Sequence, residues 1–160
     1  MKTVSRYALA YLLWALTIVA MVVVALLARD ALMNALTMAS TASLTPDAPD
    51  AFDVSVRLRA VGTWSYPIIG ILLVVLVVFL EHHYRTAAST TLLLARFVKV
   101  AALTLIVLFL GHLVLFLTSR SAGVMDWAGA LLPALELVVV GLLFGIYAWL
   151  HRRPVSPPTP

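Results

Sequence analysis

Four stretches of this chain, residues 7–27, 64–80, 100–117 and 127–150, contain no Lys, Arg or Asp, and only the last contains a Glu. A helix needs about 20 such residues to cross a hydrocarbon core. The second and third runs are short on strict counting, but each can borrow apolar flanking residues, 61–63 for one and 92–98 for the other. Backbone groups in lipid have no water to bond, so each run must be a helix or part of a closed barrel. The runs show no apolar/polar alternation, as in Val77-Val78-Phe79-Leu80, which excludes the barrel. The expected fold is an all-α integral membrane protein, a four-transmembrane-helix bundle within residues 1–150. A connection of about 35 residues (28–63) would join helices 1 and 2, and residues 151–160 would form a tail.

Composition agrees. Apolar residues make up 63% of the chain and charged residues 11%, against about 45–50% and 25% in soluble domains. A soluble globule of this size would lack polar cover. Cys is absent, so a thiolate zinc site, an iron–sulfur cluster and a covalent c-type haem are excluded. Lys2 and Arg6 before the first run also resemble the start of a signal peptide, with small residues at 40–42. That run exceeds the about 7–15 residues of a signal's apolar region, and the small residues lie far beyond it, so a retained span is expected.

Basic residues set the orientation, because they are retained on the cytoplasmic side. Lys2, Arg6, Arg85, Arg96, Lys99, Arg152 and Arg153 fall on the side of the termini, and Arg29, Arg57, Arg59 and Arg120 on the other. Both termini are expected in the cytoplasm, with the protein in a bacterial inner membrane. Tyr7, Tyr84, Tyr147 and Trp149 then lie at the inner interface, and Trp64, Tyr66 and Trp127 at the outer one. The net charge of +4 is accounted for by topology and anionic lipid, and nucleic acid is not an expected partner.

The long connection has three parts. Ala28, Ala31, Leu32, Ala35, Leu36 and Ala39 form one helical stripe, so helix 1 should continue beyond its span. Residues 40–50 are rich in Ser, Thr, Pro and Asp and read as a loop. Residues 52–58 alternate Phe52, Val54, Val56, Leu58 with Asp53, Ser55, Arg57, a half-buried strand pattern that would have to pair with another chain. The same segment fits a short amphipathic helix, with Asp53 and Arg57 as an i,i+4 pair. Both readings stand at this level. The tail has Pro at 154, 157, 158 and 160 and should be extended.

Glu136 lies nine positions after Trp127, roughly 13 Å down helix 4, and His112 lies six before Thr118, roughly 9 Å below the same surface. A carboxyl in hydrocarbon costs about 2.5–3.5 kcal/mol and must find a partner or a proton. If helices 3 and 4 are antiparallel neighbours, a Glu136–His112 pair is expected, either as a proton- or ligand-handling site or as a polar pin that fixes helix register. Pro133 can kink helix 4 nearby. Gly141 and Gly145 form a small-xxx-small helix-packing motif on the face opposite Glu136. Helix 4 therefore has two protein-facing sides, which points to other membrane subunits or a homo-oligomer.

His82, His83 and His151 gather at the inner ends. Adjacent His residues diverge by about 100° on a helix and do not chelate one metal, so an interfacial cluster is expected rather than a metal site. A bis-His haem needs two His at matching depths facing each other, yet His82, His83 and His151 are inner and His112 is outer, which disfavours an intramolecular bis-His haem and leaves His112 as the single candidate axial ligand. There is no nucleotide-binding glycine motif and no soluble catalytic domain, so an enzyme is not expected. Three functions remain. The first is a non-catalytic accessory or assembly subunit of a multi-subunit membrane complex, in energy metabolism. The second is a small proton-coupled transporter using Glu136 and His112. The third is a membrane protein holding a cofactor or pigment through His112.

Overall fold

A computed structural model describes residues 2–41, 51–87, 89–124 and 127–152. Four helices follow in order: α1 (Lys2–Thr41), α2 (Ala51–Arg85), α3 (Thr90–Ser121) and α4 (Leu131–Arg152), the last preceded by a single 3-10 turn, Trp127–Ala130. All four are long and apolar enough to span a membrane. Each helix but α4 extends well past its apolar run. The segment 28–63, expected as a connection, is helical over 28–41 and 51–63. Residues 52–58 are helical, so the strand reading and its pairing with another chain are corrected. The alternation that suggested a strand is too short to outweigh continuation of a helix whose backbone bonds are already satisfied within the segment. Most of the expected loop (42–50) and the proline tail (154–160) lie outside the described residues.

The exterior is as apolar as the interior. Leu72, Val74, Val78, Leu131, Leu135, Val138 and Leu142 are all exposed, which suits a lipid surround and leaves burial confined to narrow stripes. On α1 the stripe runs Ala10, Leu13, Thr17, then Ala28, Ala31, Ala35, all buried, with Met21 and Val24 half-buried between them. Steps of three and four give the 3.5-residue period of helices packed nearly parallel. Small residues dominate its C-terminal half, so α1 and α3 approach closely: a Cβ built on Gly111 would lie 3.2 Å from the Ala28 Cα. Close backbone approach over small residues is the usual way helices gain van der Waals contact in lipid.

The helices stand side by side in the order α2, α1, α3, α4. Contacts run from α1 to α3, α3 to α4 and α1 to α2, sparsely from α2 to α3, and among the described residues α4 reaches neither α1 nor α2. The bundle is therefore open. Gly111 faces α1 and His112, the next residue, faces α4, so the directions from α3 to its two neighbours differ by about the 100° that one residue turns on a helix.

Local signals explain the ends. Ser89 caps α3, its hydroxyl accepting from the Leu92 N–H at 3.1 Å. Gly123, at φ 71°, closes the other end: its N–H donates to the Arg120 carbonyl and that of Val124 to Ser119, the Schellman pattern that favours glycine. Pro133 falls in the first turn of α4 rather than in its middle, where its missing N–H costs little. Among the described residues, Pro67 is the one in a helix interior.

At the α2–α3 turn, α1, α2 and α3 converge on Ala10, Leu13, Leu80, Tyr84, Ala87 and Leu93. The Thr17 hydroxyl donates to the Leu13 carbonyl at 2.7 Å, so the Tyr84 hydroxyl, 3.0 Å away, donates to Thr17. Tyr84→Phe is expected to cost about 1 kcal/mol, measured by reversible unfolding in mixed micelles. Unchanged stability would show that this bond adds nothing net.

Candidate functional site

Glu136 shares a stripe of α4 with Pro133 and Val140, the three buried residues of that helix, all turned towards α3. His112 comes from the C-terminal half of α3. The structure brings the two together: His112 Nδ1 lies 2.7 Å from Glu136 Oε1, with side-chain exposures of 20% and 9%. One proton lies between these atoms. Among the described residues, Glu136 Oε2 is buried without a hydrogen-bond partner. A buried carboxyl oxygen is costly to leave unpaired, so this atom can take a proton or a donor brought by a ligand. The imidazole Nε2 is the atom a metal or haem would use. A carboxylate on the other ring nitrogen would orient it for that purpose.

A second polar group stands at the same level. Ala28 touches Gly111, so Arg29, next along, is level with His112, one helix away and on the face of α1 turned to α2. Its Nε donates to Ser65 Oγ at 2.8 Å and its Nη2 to the Gly62 carbonyl at 3.0 Å. Nη1 meets Asp30 at 2.6 Å, and the guanidinium sits 3.8 Å from the Tyr66 ring centre. Sequence reading left Arg29 in the outer connection. The helical stripe 28–39 was the signal that it belongs to a packed helix; its level relative to His112 depends on how α1 and α3 pack.

The remaining candidates stay apart. Gly141 and Gly145 have nothing within 4 Å of an added Cβ. His83 stacks with Phe79 and His151 with Tyr147, each within its own helix, and α2 does not reach α4. His82 is exposed. Among the described residues, no three His, Cys, Asp or Glu converge to hold a metal ion.

Fold and site together define an all-α protein of four long apolar helices with one buried carboxyl–imidazole pair. No family model, curated protein or solved structure matches the chain.

Proposed function

We propose that the protein is a non-catalytic accessory or assembly subunit of a multi-subunit membrane complex, in the inner membrane with both termini in the cytoplasm and in the service of energy metabolism. The observation that carries this reading is the bare side of α4: the helix meets α3 alone, and its backbone at Gly141 and Gly145 faces open space. Glycine is a weak helix former. Two of them one turn apart on a lone outer helix are most useful where another helix packs against them. On this reading the His112–Glu136 bond pins α4 to α3 in one register, so the glycine face is presented at a constant angle. Gly141→Leu with Gly145→Leu is expected to leave helicity and unfolding of the isolated chain within about 0.5 kcal/mol, while co-purifying subunits in mild detergent are lost, as read by mass spectrometry. Retention of every partner by the double variant would sink the proposal.

The unpaired Glu136 Oε2 favours a second reading, in which the pair carries protons across part of the membrane for a coupled solute. Glu136→Gln keeps shape and the bond to His112 but cannot release a proton. Proton flux in reconstituted vesicles should then vanish with assembly intact, and undiminished flux would dispose of this reading.

A further inference from the structure

The two nitrogens of His112 are unequally placed. Nδ1 is taken by Glu136 Oε1 at 2.7 Å, while Nε2 has no hydrogen-bond partner among the described residues. Glu136 Oε2 is the single buried side-chain polar atom without a partner among those residues, so Nε2 is not buried and reaches the outside of the helices. The exposures agree, 20% for the His112 side chain against 9% for Glu136. One basic nitrogen therefore interrupts an apolar surface. Its neighbours one turn along α3 are Leu108, Phe109, Leu115 and Phe116, and Leu135 and Leu137, beside Glu136 on α4, are exposed.

The carboxyl is short of positive charge. No Lys or Arg forms an ion pair with Glu136 among the described residues, and its Oε2 is buried and unpaired. An ionised carboxyl so placed is costly, and a cation on the far nitrogen of the imidazole offsets that cost through the ring. Coordination at Nε2 also fixes the tautomer. The proton then sits on Nδ1 and is donated to Glu136 Oε1, the carboxylate–histidine–metal arrangement that orients the ring and raises its basicity.

The number of protein ligands selects the form of the metal. A zinc ion takes at least three protein ligands, and no three His, Cys, Asp or Glu converge among the described residues. A metal already held in the plane of a tetrapyrrole asks the protein for one axial nitrogen, and a flat apolar ring suits the surface round His112. We propose that His112 Nε2 is the single axial ligand of a metallotetrapyrrole, with iron or magnesium at its centre, and that Glu136 acts behind the imidazole as its positioning residue. This site is independent of any partner on the glycine face of α4.

Titration of the full chain in mild detergent with haem b, with chlorophyll a and with metal-free protoporphyrin IX tests this, read by absorption. One metallated ring should bind per chain with a shifted band, the tighter of the two identifying the metal, and the metal-free ring should give no such one-to-one complex. His112→Leu with Glu136→Leu, the double change expected to keep stability, should abolish the band with helicity unchanged. Glu136→Gln keeps the bond to His112 and should weaken binding about tenfold, the low end for loss of a carboxylate behind a ligating imidazole. Partition of an apolar ring into the micelle would not respond to that change. Absence of a one-to-one complex with either metallated ring, equal binding of the metal-free ring, a band that survives the double leucine change, or an affinity untouched by Glu136→Gln would overturn the proposal.

Discussion

His112→Ala is expected to destabilise the protein by about 3 kcal/mol, the low end of the range for removing one partner of a buried pair. Among the described residues Glu136 Oε2 already lacks a partner, so this change strips the bond to His112 from a carboxyl whose side chain is 9% exposed in the parent. The low end applies because helices that separate in a membrane find other partners for polar groups. Glu136→Leu should cost less, since an unpaired neutral imidazole is cheaper to bury than a carboxylate. The double change His112→Leu with Glu136→Leu should come back close to the original stability, because apolar replacements of similar volume often equal or exceed a buried pair. Reversible unfolding in mixed micelles measures all three. His112→Ala within about 0.5 kcal/mol of the parent would mean that the pair contributes nothing to holding α4 on α3.

Gly111→Leu should be of similar size for a different reason. An added Cβ alone lies 3.2 Å from the Ala28 Cα, 3.4 Å from its Cβ and 3.5 Å from its carbonyl oxygen, and the first of these is backbone that cannot rotate away. Gly111→Ala then requires a few tenths of an ångström of separation, and leucine requires α1 and α3 to part. Overpacking of this kind costs about 1–3 kcal/mol. Here the upper end is expected, because Arg29 and His112 flank the contact and their bonds to α2 and α4 would be dragged out of register. Fluorescence transfer between labels on α1 and α3 should show the separation. Native stability in Gly111→Leu would contradict the close crossing, and the contrast with Gly141→Leu, where an added side chain meets open space, serves as internal control.

Which parts of this were legible in the chain depends on how the signal is carried. The helices were legible because uncharged runs in lipid leave the backbone no alternative. Their ends were less so: α1 runs on to Thr41 and α2 begins at Ala51, since continuation past a span is governed by propensity and capping rather than hydropathy. Residues 52–58 fitted two periods at once, and seven residues are too few to separate them. Glu136 and His112 stood out by rarity, and matching their depths made a pair possible on paper. Their 2.7 Å bond required α3 and α4 to be neighbours with those faces opposed. That Arg29 is level with His112 follows from the register of α1 against α3, which no local pattern carries.

Sequence alone determined that this chain makes four long apolar helices, with one carboxyl and one imidazole at similar depth in the last two. Tertiary structure alone decided the row α2, α1, α3, α4, the seat of Arg29 on α2 and the bare glycine face. The physical reason is that helices apolar on every side are not sorted by hydrophobicity when the solvent is equally apolar. Which faces meet is then settled by small-residue fit, such as Gly111 on Ala28, and by a few polar bonds, and both exist only once the helices are side by side.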